Sequence, residues 1–388
     1  MSPGRPCTLF AIDLAGFRAE FPALERVVYL NTATAPPAAR SVSAAVERAQ
    51  AEWASGLFDW QAWEREADAT RTLFARLIDA QPSSIALLGS VSEAAATVAH
   101  SLRPPGRIVV GAREFRSNLA PWLALRGRGF EVVEVPPNET GVVTTDALSS
   151  AIDARTTLVA ITEVQSANGF RVRIAELIAR AHVVGARVFL SAMQSLGVLR
   201  TSVREHEPDF LVTHGYKWLL APRGAAWLYV RPDRISELEP LAPSWKSVPD
   251  PLADYYGQAP LASDARKLDM SLAWFSWVGA KAALELLLTL SPEAVESRAL
   301  ALAQEFRENA RQQGFVLGPA EEPSQIVAVV VPDPEELRSR LARERIIAAV
   351  RDGYLRVGFH GFNVRSDVHA ALEALRDLRP KLSGALPR

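Results

Sequence analysis

Short apolar runs alternate with amphipathic stretches through the middle of the chain, and this alternation predicts a parallel α/β core. Residues 107–111 (RIVVG), 131–135 (EVVEV), 157–162 (TLVAIT), 187–190 (RVFL), 210–213 (FLVT) and 226–230 (AWLYV) are brief and rich in β-branched or aromatic side chains. Several are bounded by Gly or Pro, as buried strands are. Between two of them, Ile174, Leu177, Ile178 and Ala181 recur at i, i+3, i+4 and i+7, and Gly185 follows. That spacing draws one apolar stripe on a helix, with a stop signal after it. Strand, helix and strand at these intervals form a βαβ unit, so the expected core is a mainly parallel sheet with helices on both faces.

The texture changes after about residue 240. Residues 240–260 are rich in Pro, Trp and Tyr and read as an irregular connection. From residue 271 helical patterns dominate, with short strand patterns at 326–331 and 354–357. A chain of 388 residues exceeds what one compact core usually holds. The expected division is a large domain over 41–265, a smaller α/β domain over 266–388, and an N-terminal segment, 1–40, packing with the small one. Residues 1–16 lack the basic and long apolar regions of a signal peptide and read as a loosely docked tail. No apolar run has the length of a membrane span.

Charge narrows the function classes. Lys plus Arg (43) nearly equals Asp plus Glu (44), and the net charge of -1 offers nothing to nucleic acid or an anionic membrane surface. The single cysteine, Cys7, forms no internal disulfide, which points to the cytoplasm. The six histidines show no pair at metal-ligand spacing, so no metal site is expected. No G-x-G-x-x-G follows a strand, which argues against a dinucleotide fold.

The sharpest chemical signal is His214-Gly215-Tyr216-Lys217-Trp218, directly after the strand pattern at 210–213. A lysine hemmed by aromatic residues at a strand end is costly to bury unless it is paired or used. Burial lowers the pKa of an amine, as an imine-forming lysine requires. A surface lysine whose stem lies along apolar neighbours has the same local sequence, and this segment alone does not separate the two.

Four further segments do. Residues 29–34 (YLNTAT), 114–122 (EFRSNLAPW), 187–194 (RVFLSAMQ) and 355–360 (LRVGFH) occur in the order and spacing of the class V aminotransferases. The chain resembles that family, which holds cysteine desulfurases, kynureninases and isopenicillin-N-epimerase-like enzymes, over about residues 28–375. The resemblance implies a fold-type I α/β architecture, pyridoxal 5'-phosphate (PLP) as cofactor, an amino-acid-like substrate, a homodimer, and Lys217 as the Schiff-base lysine. Ser90, Val91 and Ser92 open an apolar helix and would turn free N–H groups and hydroxyls to the cofactor phosphate, a role compatible with a plain N-cap. His214 and Tyr216 stand where the family places further phosphate ligands, and Phe115 where it covers the pyridine ring. Gln194 is expected near the ring's 3-oxygen. Each of these also fits ordinary core packing.

Arg356 is the candidate for the substrate α-carboxylate, since a guanidinium fork matches a carboxylate. Arg351 is a second candidate. Ser271 is expected to reach the phosphate of a neighbouring subunit, and Asn31 and Gln165 to border the pocket.

Two departures bear on the reaction. Ser191 stands where the family has an aspartate beside the pyridine nitrogen. A hydroxyl hydrogen-bonds there but does not hold the ring protonated, so the electron sink is weaker. Transamination is then disfavoured, and loss of a β- or γ-substituent from the substrate is the expected chemistry. An aminotransferase or epimerase, and a PLP-binding scaffold with little catalysis, are the alternatives. The second departure is that residues 343–353 contain no cysteine and Cys7 lies in the wrong segment, so persulfide-forming desulfurase activity is not expected.

Overall fold

The computed structural model describes residues 12–351, 353–376 and 378, so Cys7 and most of the expected tail lie outside the described residues. In chain order, α1 (Leu14–Ala19) and β1 (Val28–Tyr29) precede two long helices, α2 (Arg40–Ser55) and α3 (Trp60–Leu77). The large sheet follows. Its strands are β2 (Ile85–Leu88), β3 (Gly106–Gly111), β4 (Phe130–Val135), β5 (Thr156–Thr162), β6 (Arg187–Ser191), β7 (Phe210–His214) and β8 (Ala226–Val230). Helices α4 (Val91–Ser101), α5 (Arg116–Leu123), α6 (Thr145–Ala151), α7 (Ile174–Val183) and α8 (Val203–His206) connect them.

The strand order is β2-β8-β7-β6-β5-β3-β4. Strands β7, β6, β5, β3 and β4 run parallel, and β8 is antiparallel to both its neighbours. The six strands expected from sequence all form, and α7 spans the expected helix. Successive residues of β5 alternate between two hydrophobic cores: Val159 and Ile161 face one, Leu158 and Ala160 the other. Both faces of the sheet are therefore covered, as a parallel sheet requires.

Strand β2 was not expected. Its four residues are uniformly apolar and carry no period, which is the case in which pattern does not separate strand from helix. A buried ion pair anchors it: Asp269 accepts from Leu87 N at 2.8 Å and from Arg71 Nη2 of α3 at 2.6 Å. Burial pushes the Asp269 carboxyl up, and the Arg71 guanidinium opposes that shift.

Helix α9 (Trp274–Leu287) follows the expected domain boundary yet lies against α2 and α3. The chain joins a second sheet only with α10 (Pro292–Gln312), which packs on β9 (Ile326–Val330). Then come α11 (Pro334–Arg343), β10 (Ile346–Ile347), β11 (Ala349–Arg351), β12 (Tyr354–Gly358) and α12 (Arg365–Leu375). Strands β11, β12 and β9 form an antiparallel sheet in that order. The N-terminal segment joins this region: β1 pairs with β10, and Phe21 packs on Phe362 with ring centroids 4.8 Å apart. Among the described residues, no helix is long and apolar enough to cross a membrane, and no group of His, Cys, Asp or Glu is arranged to hold a metal.

Candidate active site

The strand order sets the position of the site. From β3 the chain steps outward to β4, then returns to the other side of β3 and proceeds through β5, β6 and β7. Neighbouring loops at such a reversal leave in opposite directions and open a crevice at the carboxyl ends of the strands. Phe115 after β3, Ser166 after β5, Ser191 at the end of β6, and His214 and Lys217 at and after the end of β7 all line this crevice.

Lys217 sits in a tight turn closed by Lys217 N to Gly215 O (2.9 Å) and Ala221 N to Gly215 O (3.0 Å). A Cβ on Gly215 would stand 2.7 Å from that of Ala221, so only glycine fits there. The side chain is 6% exposed. Its Nζ lies 5.6 Å from the Phe115 ring centre and 5.8 Å from that of Tyr216, with no carboxylate at ion-pair distance among the described residues. Burial, then the positive charges of Arg356 and Arg351, push the amine down to about 7.

A residue beyond the expected set holds this turn from behind. His360 Nε2 donates to Trp218 O at 3.0 Å, and its Nδ1 accepts from Gly361 N at 2.8 Å. Burial pushes His360 down to about 4, so the ring is neutral and one nitrogen is free to accept. Its imidazole stacks on Trp218, whose Nε1 donates to Gln194 Oε1 at 2.8 Å. Gly358 leaves room for that indole: a Cβ would come within 2.9 Å of it.

Around Lys217 is a cavity of ≈ 400 Å³. At one end Ser90 caps α4, accepting from Glu93 N at 3.2 Å, and Val91 and Ser92 present the helix's first N–H groups. His214, Arg223 and Gly224 complete that end. The His214 ring meets Tyr216 edge-on at 4.5 Å, and its Nδ1 is buried without a partner. Burial, then the Arg223 charge, push His214 down to about 4. Ser191 also lines the cavity; it is 3% exposed and stands in register with Thr162. Among the described residues, no Asp or Glu lines this cavity. Glu114 comes near only through its contacts with Thr162 and Asn118, which do line it.

A second cavity of ≈ 600 Å³ opens from Lys217 toward the small sheet and is lined by Thr34, Arg223, Arg351 and Arg356 among others. Arg356 is 7% exposed; it donates to Ser166 O and, at 2.8 Å, to Thr34 Oγ1. Burial and then the Arg351 charge lower its pKa to about 10.

The crevice thus gathers Ser90, Val91, Ser92, Phe115, Ser191, Gln194, His214, Tyr216, Lys217 and Arg356. Gln194 is engaged on both sides, donating to Ala33 O and Ser166 Oγ at 3.1 Å each. Asn31 does not line either cavity; its neighbour Thr34 does. Gln165 turns away, to the backbone of Val143. Ser271 is exposed, lies outside both cavities and accepts from Trp245 Nε1 at 3.0 Å. Thr34, Ser166 and Arg223 were not expected: they are small or generic residues in loops, brought in by contacts distant along the chain.

The family model for aminotransferase class-V matches residues 27–367. The chain belongs to the class-V aminotransferase family. This class-V protein is 32% identical over 270 residues to a probable cysteine desulfurase of Methanothermobacter thermautotrophicus, covering 68% of each chain. It is 29% identical to the isopenicillin N epimerase of Streptomyces clavuligerus over 90% of this chain and 94% of the relative. Its fold is that of the apo cysteine desulfurase of Thermococcus onnurineus NA1, with a TM-score of 0.84, 20% identity, and coverage of 96% of this chain and 100% of that one. The class-V protein is a PLP-dependent enzyme. The residues present suit that cofactor, because the cavity supplies a buried amine of lowered pKa, a helix start and an unpartnered buried imidazole nitrogen.

Proposed function

We propose that this enzyme is a lyase that removes a β-substituent from an amino-acid-like substrate, leaving a 2-keto acid and ammonia. The observation that carries the reading is the absence of any Asp or Glu, among the described residues, from the lining of the cavity that holds Ser191 at the end of β6. Bound PLP supplies an electron sink for the pair released at Cα. Ser191 offers a hydroxyl where the family has a carboxylate, so it would hydrogen-bond the ring nitrogen without fixing a proton on it. Reactions that need a deep, long-lived sink are disfavoured, and expulsion of a leaving group is favoured.

The other residues take complementary parts. Lys217 Nζ would hold the cofactor, and its amine would take the proton from Cα and return it where needed. Ser90, Val91, Ser92, His214 and Tyr216 would hold the phosphate, with Arg223 beside them. Phe115 would cover the ring, and Gln194 would sit toward its oxygen. Arg356, already oriented by Thr34 and Ser166, binds the α-carboxylate and sets which Cα bond faces Lys217. Ser271 is proposed to contact the phosphate of a second copy, since it is exposed and outside its own cavity.

The test is product analysis with β-chloro-L-alanine and O-acetyl-L-serine. Pyruvate and ammonium released in equal amounts, with no keto-acid acceptor added, is the expected result. Transfer of the amino group to added 2-oxoglutarate, without free ammonium, would overturn the reading. Arg356→Gln should lower kcat/KM about 30-fold through loss of a charge-assisted pair worth roughly 2 kcal/mol. Steady-state kinetics check this, and an unchanged kcat/KM would move the carboxylate site elsewhere.

A further inference from the structure

Five arginines ring the mouth of the site, and their number exceeds the anions so far assigned to it. Arg223, Arg351 and Arg356 line the cavity beside Lys217, and Arg113, Arg116, Arg351 and Arg356 line an adjoining one of ≈ 360 Å³. None of the five has an ion-pair partner among the described residues. Elsewhere arginines are routinely paired, as Arg71 is with Asp269 and Arg234 with Asp209. Among the described residues, the one acid in either lining is Glu114, which accepts from Thr162 and Asn118.

Register puts two of these cations on one face. Arg356 of β12 stands opposite Ala349 of β11, and Arg351 lies two residues beyond Ala349 on the same strand. Residues directly opposite share a face, as do residues i and i+2, so Arg351 and Arg356 point to the same side. Diagonal neighbours of this kind are roughly 7 Å apart. Arg351 also adds to the positive field that depresses Arg356 and Lys217, so the pair is held in mutual repulsion that a second anion would relieve.

The cofactor phosphate accounts for Arg223, which lies with His214 and Ser90. An α-carboxylate accounts for Arg356. Arg113, Arg116 and Arg351 are left, with Thr140, Asn168 and Tyr354 beside them. We propose that the substrate carries a second acid group, of carboxylate size, on the substituent attached to Cβ, and that Arg351 and Arg113 receive it. This inference rests on the lyase reading for its reaction but on the cation arrangement for its chemistry. For a thioether substrate, the Cβ–S bond breaks, sulfur leaves with the electron pair and gains a proton, and Lys217 takes the Cα proton. One water is consumed, and the products are the acidic thiol, pyruvate and ammonium.

Two measurements on the holoenzyme separate this inference from the lyase reading. Calorimetric titration with glutarate and with butyrate tests the second anion site without turnover. Glutarate should bind about 10-fold more tightly or better, and Arg351→Gln and Arg113→Gln should each erase most of that margin. Turnover of S-carboxymethyl-L-cysteine against S-ethyl-L-cysteine, read as pyruvate, should show the acidic thioether ahead in kcat/KM. Equal binding of the two acids, or a glutarate preference that survives in both variants, overturns the inference even if both thioethers are cleaved. A glutarate preference lost in the variants, with no pyruvate from either thioether, sustains the inference and removes the lyase reading.

Discussion

Lys217→Ala should lack the visible absorbance band that borohydride abolishes in the wild-type holoenzyme, and its turnover should fall by at least about 1,000-fold, within the range expected for loss of a general acid–base group. The assignment is specific because, among the described residues, the other buried lysine is occupied: Lys246 is paired to Glu64 within the fold. Among the described residues Lys217 has no such partner, and it faces Phe115 and Tyr216 instead. Its pKa of about 7 also predicts a pH profile. Only the neutral amine captures an aldehyde, so the rate of PLP uptake by the apo protein should rise with pH up to about 7 and then level off. An ordinary lysine would keep rising toward ~10.4. Arg356→Gln removes a positive charge that favours the neutral amine, so the plateau should move to higher pH. A borohydride-sensitive band that persists in Lys217→Ala would place the cofactor on another amine and remove the active site described above.

The parts legible from sequence were those whose cause is local. Six strands announced themselves because each is a short β-branched run bounded by turn residues, and α7 because its apolar positions repeat along one face. Lys217 stood out because a lysine between Tyr216 and Trp218 at a strand end is costly to bury, but only the four further segments set it apart from a surface lysine. β2 was not, since Ile85–Leu88 has no period and draws its position from Asp269, far along the chain. The same holds in the site. Thr34 and Ser166 meet because Arg356 reaches both from the other sheet, across 322 and 190 residues. His360 belonged to a recognised segment, but its function as a clamp on Trp218 O depends on how β12 lies against the lysine turn. Asn31 and Thr34 show the limit well: three residues apart in one loop, only the second faces the cavity, and backbone turns closed by Asn31 O decide which.

If Ser191 faces the ring nitrogen as proposed, Ser191→Asp should shift the ratio of transamination to elimination by about 100-fold toward transamination, because a carboxylate there would hold a proton on that nitrogen and a hydroxyl would not. The position is buried and in register with Thr162 and Val212, so the new carboxylate has few partners within the chain. Glu114 offers no substitute at present, since its contacts run to Thr162 and Asn118 and burial pushes its own carboxyl up. A buried charge without a partner is destabilising, whereas one matched by a cation is tolerated. The apo variant should therefore melt below the apo wild type, and PLP should restore more stability to the variant than to the wild type. Thermal unfolding with and without cofactor reads that difference independently of turnover. A variant with wild-type product ratios whose cofactor spectrum titrates with pH as the wild type does would mean that Ser191 does not face the ring nitrogen. The proposed preference for elimination would then need a different cause.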